Sequence, residues 1–492
     1  MMKANTEQKI IRILHDQNPW WESNRVPDNL LKPFKRRDFY VIKEKKLDTK
    51  EITAIIGPRQ VGKTTVIYQL IDHLINEKKV NPRRILYISF DYPYLTTITK
   101  TPVDDILRTY STHILKEPLS NLADRIYIFL DEVCKLEQWS RVLKGLYDLQ
   151  RPIKFIISDS SSSDILKGSS ESLVGRISIS LMFPLKFVDV LKYSHRKKSE
   201  LFNKVNWELR KAFKRSINKS DPKPFYECLR WAYSLLAPHE DFIKIHLNEY
   251  LLKDGYPELL NIESLDLCAE KLRTYLALTI YKDIVRIFNL RDPKALEELV
   301  VLIADVSSQR VEYTSLCNIL GIKRDTLVNY LNYLESVFLI SKAEFYSKSR
   351  AARIRKIKKL YLSNVGLRNT LVGMLNEALL QDSSEVGKVV EILLHEHCKR
   401  LKFNLERGRV ELFYWKTKQG NEVDIVLELF RKPVAIESKY KNEIQKKELK
   451  GLRKFLEEHN ESFGVVITKD ILDLDLKDRM IFIPLWLFLL MC

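Results

Sequence analysis

Apolar and polar positions alternate along this chain in three distinct ways. In EITAIIGPRQVGKTTVIYQLIDHL a β-branched run gives way to a polar loop, and Val66, Leu70, Ile71 and Leu74 then recur at helical spacing. That order predicts strand, loop, helix. IYIFLDEV and KFIISDSSSSDIL add short, wholly apolar strands that end in polar residues, the mark of a buried parallel sheet. From Asp292 the period becomes helical throughout. DPKALEELVVLIADV, YTSLCNIL and RDTLVNYLNYLESV predict three helices, with Gly321 at the second turn and Leu327, Leu331, Leu334 and Phe338 on one face. The last pattern has period two. In EVDIVLELFRKPVAIESKY, Val423, Ile425, Leu427 and Leu429 share one strand face, while Glu422 and Asp424 fall on the other.

The first of these patterns carries specific chemistry. Gly57, Pro58, Arg59, Gln60, Val61, Gly62, Lys63 and Thr64 satisfy G-x-x-x-x-G-K-[ST] between a strand and a helix, and Thr65 follows as a further nucleotide-binding candidate. In such a loop the backbone N–H groups and the helix N-terminus cradle phosphates, the lysine reaches the β/γ-phosphates, and the hydroxyl residue binds Mg²⁺. The strand Ile126 to Leu130 delivers Asp131 and Glu132 at its carboxyl end, where open α/β sheets bind ligands. Asp131 is expected to hold Mg²⁺ through water, and Glu132 to polarise an attacking water. Ser158 and Ser160 follow the next strand and suit a γ-phosphate sensor. Arg176 is a candidate for stabilising phosphoryl transfer, in cis or from a neighbouring subunit. ATP and Mg²⁺ are therefore the expected cofactors.

The period-two stretch poses a sharper question. A turn centred on Phe430-Arg431 makes antiparallel partners sum to 861, which sets Asp424 opposite Glu437 and Glu422 opposite Lys439. Adjacent carboxylates repel unless a cation lies between them, and a divalent metal with oxygen ligands is the usual solution. The other reading is a cross-strand ion-pair face on a solvated hairpin. An upstream helix, VGKVVEILLHEHCKRL, adds Glu391, while His395 and His397 do not share its face at two-residue spacing and are read as structural.

Length and charge extend the picture. With 492 residues, two to four domains are expected, and 45% hydrophobic with 30% charged residues describe an ordered chain. The formal charge of +18 attracts polyanions, nucleic acid being the expected large one. Residues 196 to 223 hold ten Lys/Arg against three acidic residues, with Leu201, Val205, Leu209 and Phe213 at helical spacing. They form either a solvated helical insertion or an arm that faces nucleic acid. KSRAARIRKIKK carries seven basic residues, Lys348, Arg350, Arg353, Arg355, Lys356, Lys358 and Lys359, and no acidic one. These can neutralise phosphates without reading bases, or simply be solvated. The exposed face of the third helix offers Asp325, Asn329 and Asn332, which does not signal groove reading. The six cysteines have no paired spacing, the N-terminal stretch lacks the apolar core of a signal peptide, and MIFIPLWLFLLMC is too short to cross a bilayer. A cytoplasmic protein with no membrane partner and a buried last element is expected.

Taken together, ILHDQNPWW, PFKRRDFY, IIGPRQVGKTT, LDEV, ISDSSSS, LVGR and FPLKF resemble the archaeal and bacterial AAA-type ATPases that carry a conserved C-terminal half of unknown role. LNEYLLKDGYPELL, YKDIVRIFNLRDP and YWKTKQGNEVDIVLE resemble that second half, so the likeness spans nearly the whole chain. Asp159 stands where this family usually shows Gly, and a carboxylate there would repel a γ-phosphate. Glu391, Asp424, Glu437 and Lys439 further resemble the PD-(D/E)XK nuclease superfamily, which includes Holliday-junction resolvases and restriction endonucleases. That resemblance implies Mg²⁺ on Glu391, Asp424 and Glu437, and phosphodiester cleavage with Asp424, Glu437 and Lys439 as catalytic residues.

The expected fold is α/β. An N-terminal segment (1–48) packs on an AAA-type P-loop parallel sheet (49–190), followed by a helical lid with the basic insertion (191–290). A winged helix–turn–helix middle with the basic loop (291–381) leads to an α/β restriction-endonuclease-like domain (382–492). The expected function is an ATP-binding, ATP-hydrolysing enzyme that acts on or with DNA, with a metal-dependent nuclease domain. The alternative is a nucleotide-switched DNA- or protein-binding adaptor whose nuclease-like domain does not cleave. A homo-oligomer is compatible with either.

Overall fold

The computed structural model describes residues 4–92, 95, 99, 101–136, 139–162, 173–349, 351, 353, 356–406 and 410–492. The chain divides into two compact units, Met1–Phe183 and Pro184–Cys492.

In the first unit five strands, β1 (Ile52–Ile56), β2 (Ile85–Ser89), β3 (Ile126–Asp131), β4 (Ile153–Asp159) and β5 (Ile177–Leu181), form one sheet in the order β2-β3-β4-β1-β5. Every neighbouring pair is parallel. The four strands β1 to β4 are buried almost throughout, which accounts for their unbroken apolar runs. The edge strand β2 would leave its backbone groups unpaired, and the segment after helix α1 (Ala4–Gln17) supplies them with partners. Asn18 accepts from Tyr87 N at 2.7 Å and donates to Tyr87 O at 2.8 Å, as a neighbouring strand would. Gln17 accepts from Ser89 N, and the indoles of Trp20 and Trp21 both donate to Ile85 O.

The second unit contains an eight-stranded mixed sheet. Its strands are β6 (Ile340–Phe345), β7 (Lys359–Leu362), β8 (Leu412–Lys416), β9 (Glu422–Leu429), β10 (Lys432–Ser438), β11 (Gly464–Thr468), β12 (Asp473–Asp475) and β13 (Met480–Pro484), in the order β12-β13-β11-β10-β9-β8-β6-β7. The pairing of β9 with β10 runs from Lys432↔Leu429 to Ile436↔Ile425, the register that a turn at Phe430-Arg431 dictates. Both turn residues have positive φ, 53° and 62°, as a two-residue hairpin turn requires.

Helices α3 (Ser199–Lys219) and α4 (Lys223–Leu236) lie side by side in this unit, numbered after α2 (Lys63–Asn76) in the first. The basic insertion is therefore not a wholly solvated arm. Phe202, Val205, Leu209 and Phe213 are buried, Phe202 in the place expected of the half-buried Leu201. Beyond further helices over Glu240–Lys253 and Leu265–Ala277 lie α5 (Pro293–Val306), α6 (Tyr313–Leu320) and α7 (Arg324–Ser336), with Gly321 at φ 64° between the last two, and the β6–β7 hairpin follows them directly. Asp292 caps α5 by accepting from Ala295 N. Helix α8 (Ser383–Glu406) packs on β9, and α9 (Lys450–Glu458) approaches it so closely that a Cβ on Gly451 would meet Glu422 O at 2.1 Å. The final apolar run forms β13 and α10 (Leu485–Met491), whose seven residues are all buried. Its terminal carbonyls accept from Arg210, Asn206 and Lys186, so positive groups meet the negative end of the helix. Among the described residues no helix is long and apolar enough to cross a membrane.

Candidate functional site

Two clusters of polar side chains occupy the positions that the sequence singles out, one in each unit. In the first, the phosphate loop leaves β1 at Gly57 and enters α2 at Lys63. Gly57 is fixed by space, because a Cβ there would meet Met182 O at 1.9 Å, and Gly62 by its φ of 91°. The buried Lys63 folds back on the loop, its Nζ donating to Gly57 O at 2.9 Å and to Pro58 O at 3.0 Å.

Asp131 gathers three hydroxyl donors. Thr64 Oγ1 donates to Oδ2 at 2.8 Å, Tyr87 OH to the same oxygen at 3.0 Å, and Ser158 Oγ to Oδ1. The hydroxyl-plus-carboxylate pair of Thr64 and Asp131 is the donor set that Mg²⁺ prefers. Glu132 follows with a left-handed backbone, φ 54°, and accepts from Ser160 Oγ at 3.5 Å. Burial pushes its carboxyl up to about 7; Lys63 opposes the shift and the charges of Asp159 and Asp131 add to it. Asp159 is wholly buried, and its carboxylate accepts from the backbone N–H groups of Cys134 and Ser161, both at 3.0 Å. It ties the end of β4 to the turn that carries Glu132. A bulky carboxylate is tolerated at this position because two amides engage it.

Arg176 does not join this cluster. It precedes β5, and its carbonyl accepts from Ile52 N, so it sits at the amino ends of the strands, whereas the phosphate loop leaves their carboxyl ends. Five residues of β1 separate the two by roughly 17 Å. The guanidinium instead binds Asp148 at 2.7 Å, so the in-cis role expected of Arg176 is excluded within one chain. Sequence reasoning missed Arg36. This buried side chain donates to Val61 O at 2.8 Å and Phe183 O at 2.6 Å, bracing the outer side of the phosphate loop.

The second cluster lies where β7, α8, β9 and β10 meet. The ammonium of Lys359, from β7, lies 3.1 Å from Glu391 Oε1, 2.9 Å from Glu422 Oε1 and 3.9 Å from Asp424 Oδ1, and only 3% of its side chain is exposed. Burial acts to lower its pKa, but Glu391, Asp424 and Glu422 outweigh that and hold the ammonium charged. Tyr361 also donates to Glu391 at 2.9 Å, and Lys416 binds the other oxygen of Glu422 at 2.7 Å. Asp424 Oδ2 accepts from Ser438 N at 2.9 Å. Glu437 Oε1 accepts from Lys439 at 2.6 Å, and its buried Oε2 has no hydrogen-bond partner among the described residues. Burial pushes Glu437 up to about 8, with Asp424 adding and Lys439 opposing.

Two side chains differ from expectation. Glu422 turns to Lys359 and Lys416, not to Lys439. Glu391, expected as a metal ligand with Asp424 and Glu437, is engaged by Lys359 and Tyr361. Among the described residues no three acidic, imidazole or thiol groups are arranged to hold a metal ion. Most of the basic loop is also not a row of solvated cations. Lys359 is buried in the cluster, Lys358 binds Glu344 at 3.0 Å, and Arg353 lies over the Phe413 ring at 4.5 Å with Glu428 beside it. Lys356 is exposed with its Nζ over the Phe345 ring, and Lys348 is exposed near Glu461. Arg350 and Arg355 lie outside the described residues. His395 stacks on Tyr361 at 4.0 Å and His397 bonds Leu393 O at 2.9 Å, both buried.

A parallel sheet that presents a glycine-framed loop, a lysine and an Asp-Glu pair at its carboxyl edge is a P-loop nucleotide-binding domain. Residues 49–191 match the AAA domain family, which makes this an AAA-type ATPase domain. Residues 244–378 and 386–488 match two domains of unknown function, DUF8612 and DUF4143. An uncharacterized protein of Methanocaldococcus jannaschii is 26% identical over 469 residues, 93% of this chain and 89% of the relative. One from Mycobacterium tuberculosis is 22% identical over 406 residues, 82% of this chain and 74% of the relative. Among solved structures, the Aeropyrum pernix ORC2 protein aligns over 72% of this chain and 98% of its own, at 13% identity and a TM-score of 0.36.

Proposed function

We propose that this protein is an ATP-hydrolysing AAA-type ATPase that acts on or with DNA. The observation that carries the ATPase part is the placement of Thr64, Asp131 and Glu132 around the mouth of the phosphate loop. Lys63 would exchange two neutral carbonyls for the β/γ-phosphate oxygens of ATP. Mg²⁺, held by Thr64 and through water by Asp131, would neutralise charge on those oxygens. Glu132 takes the proton of the attacking water as its oxygen bonds the γ-phosphorus and the bond to the ADP oxygen breaks. The buried setting that lifts Glu132 to about 7 suits a base working near neutral pH. Ser160, hydrogen-bonded to Glu132, keeps its proposed part in sensing the γ-phosphate.

The domain organisation proposed is an N-terminal brace (1–48), the ATPase core (49–190), a helical lid (191–290), a winged helix (291–381) and a PD-(D/E)XK-like domain (382–492). Three helices followed by the β6–β7 hairpin support the winged helix, with that hairpin also joining β8 in the sheet of the last domain, and the central β9–β10 hairpin with α8 alongside supports the last. DNA is the proposed partner on the strength of net charge and these two assignments. Two readings of the last domain follow. In one, Asp424, Glu437 and Lys439 cleave a phosphodiester with Mg²⁺. In the other the domain binds without cleaving, and Lys359 favours it, since an ammonium already answers Glu391, Glu422 and Asp424.

The test of the ATPase is Lys63→Ala, expected to stay folded and to lose most nucleotide affinity or turnover; wild-type turnover would refute the phosphate-loop assignment. Thermal melts with and without Mn²⁺, for wild type and for Asp424→Asn with Glu437→Gln, separate the two readings of the last domain. A shift confined to wild type supports the metal-dependent reading, and no shift in either supports the non-cleaving one.

A further inference from the structure

Helices α3 and α4 pack through Phe213 and Phe225, whose rings are 5.0 Å apart, and present an outer face of unusual composition. Trp207 is 62% exposed and Trp231 is 36% exposed. Two aromatic rings partly open to water on a basic helix pair, joined by the lysines between them, offer a contact surface. Lys204, Trp207, Lys211 and Lys214 are all exposed and follow one another at spacings of three and four, so they form a single stripe about 15 Å long.

Cations and rings are paired along it. Lys204 Nζ lies 5.8 Å from the Trp231 ring centre, Lys211 Nζ 5.9 Å from Trp207, and Lys214 Nζ 5.1 Å from Phe430. The last contact joins the stripe to the β9–β10 turn, which Lys432 fastens to the end of α3 by donating to Asn218 O at 2.7 Å and Ser220 Oγ at 3.0 Å. That turn has positive φ at both residues, a conformation that favours Asn-Gly, yet it carries Phe430 and Arg431. A conformation disfavoured for bulky residues is kept where an aromatic ring and a guanidinium stand at the tip. Glu208, paired with Lys211 at 3.0 Å, is the acidic residue a phosphate would have to displace.

We propose that this face binds single-stranded DNA, with bases stacked on Trp207, Trp231 and Phe430 and phosphates held by Lys204, Lys211, Lys214 and Arg431. Duplex DNA hides its base faces, whereas an unpaired strand offers alternating rings and phosphates that match alternating rings and ammonium groups. The inference rests on the reading that this protein works with DNA, and adds the strand form and the place.

The test uses the full-length protein with labelled oligothymidine and a duplex of equal length, read by anisotropy and by tryptophan fluorescence over a salt series. Expected are preference for the single strand, quenched tryptophan emission, and roughly tenfold weaker binding in both Trp207→Ala and Trp231→Ala. Lys211→Ala should lower the slope of log affinity against log salt by about 0.7. ATP turnover without DNA should not change in any of the three. Single-strand binding that survives both tryptophan replacements, or a preference for duplex without quenching, overturns the proposal and leaves the DNA reading standing. Failure of the wild type to bind either DNA overturns both.

Discussion

Lys63 and Lys359 are both buried ammonium groups held by close contacts, yet their partners differ in charge. Lys63 donates to two neutral carbonyls of its own loop, and Lys359 lies against carboxylates brought from α8 and β9. A bond to a neutral carbonyl is readily exchanged for a bond to a phosphate, because the incoming oxygen carries more charge than the outgoing one. A buried pair of opposite charges is not, since separating it leaves each ion desolvated and uncompensated. The first lysine is thus set for ligand exchange and the second for permanence. The carboxylates follow suit: Asp131 is held by hydroxyl donors, whereas Glu391 and Glu422 are held by ammonium groups.

The largest expected effect tests the exchangeable side. Glu132→Gln should bind ATP and lose turnover by about 10²- to 10⁴-fold, measured by steady-state hydrolysis beside nucleotide binding. Wild-type turnover should rise with pH through about 7 as this carboxyl ionises. Loss of binding in the variant would make Glu132 structural.

On the permanent side, Lys359→Met should lower unfolding free energy by about 3–5 kcal/mol in denaturant titrations. Adding Glu391→Gln and Glu422→Gln should restore part of it, and a single variant as stable as wild type would show that the ammonium is not the cluster's counter-ion. A gentler, pH-graded effect belongs to the same cluster. Glu437 keeps its proton to about 8 when folded but loses it near 4.5 when unfolded, so its contribution is complete below the lower value and is lost as pH rises to the higher one. Stability should fall across that window by at most about 1.4 kcal/mol per pH unit from this group, and Glu437→Gln should flatten the fall.

Arg176→Ala should do least. Its exposed pair with Asp148 contributes less than about 1 kcal/mol, and turnover by a single chain should not change. Mixing this variant with Lys63→Ala restores turnover only if Arg176 serves a neighbouring subunit.

What could be read in advance follows the same divide. The phosphate loop, Asp131 and Glu132 are contiguous with the strands that position them, so local pattern was enough. The β9–β10 register was legible because a two-residue turn and period-two alternation leave a single solution. Lys359 was not, since it stands 32 positions before Glu391 in a run whose charge reads as solvated, and only the pairing of β6 with β8 carries it into the cluster. Which of the two roles open to Arg176 applies is not legible locally, because it depends on the end of a parallel sheet at which its strand begins; within one chain that end is the one away from the phosphate loop. The two amide partners of Asp159 were not legible either, since they come from Cys134 and Ser161 on separate turns.

The N-terminal brace bears on where this protein can be cut. The AAA family match opens at residue 49, yet Gln17, Asn18, Trp20 and Trp21 complete the backbone of β2, and Arg36 steadies the phosphate loop from outside. A truncation that starts where the match starts would uncover a five-residue strand edge with nothing to stop another chain from adding to it. Such a fragment should self-associate and coprecipitate, and nucleotide should rescue it poorly. The span that the AAA family match covers and the span that completes the sheet are, in this protein, two different lengths of chain.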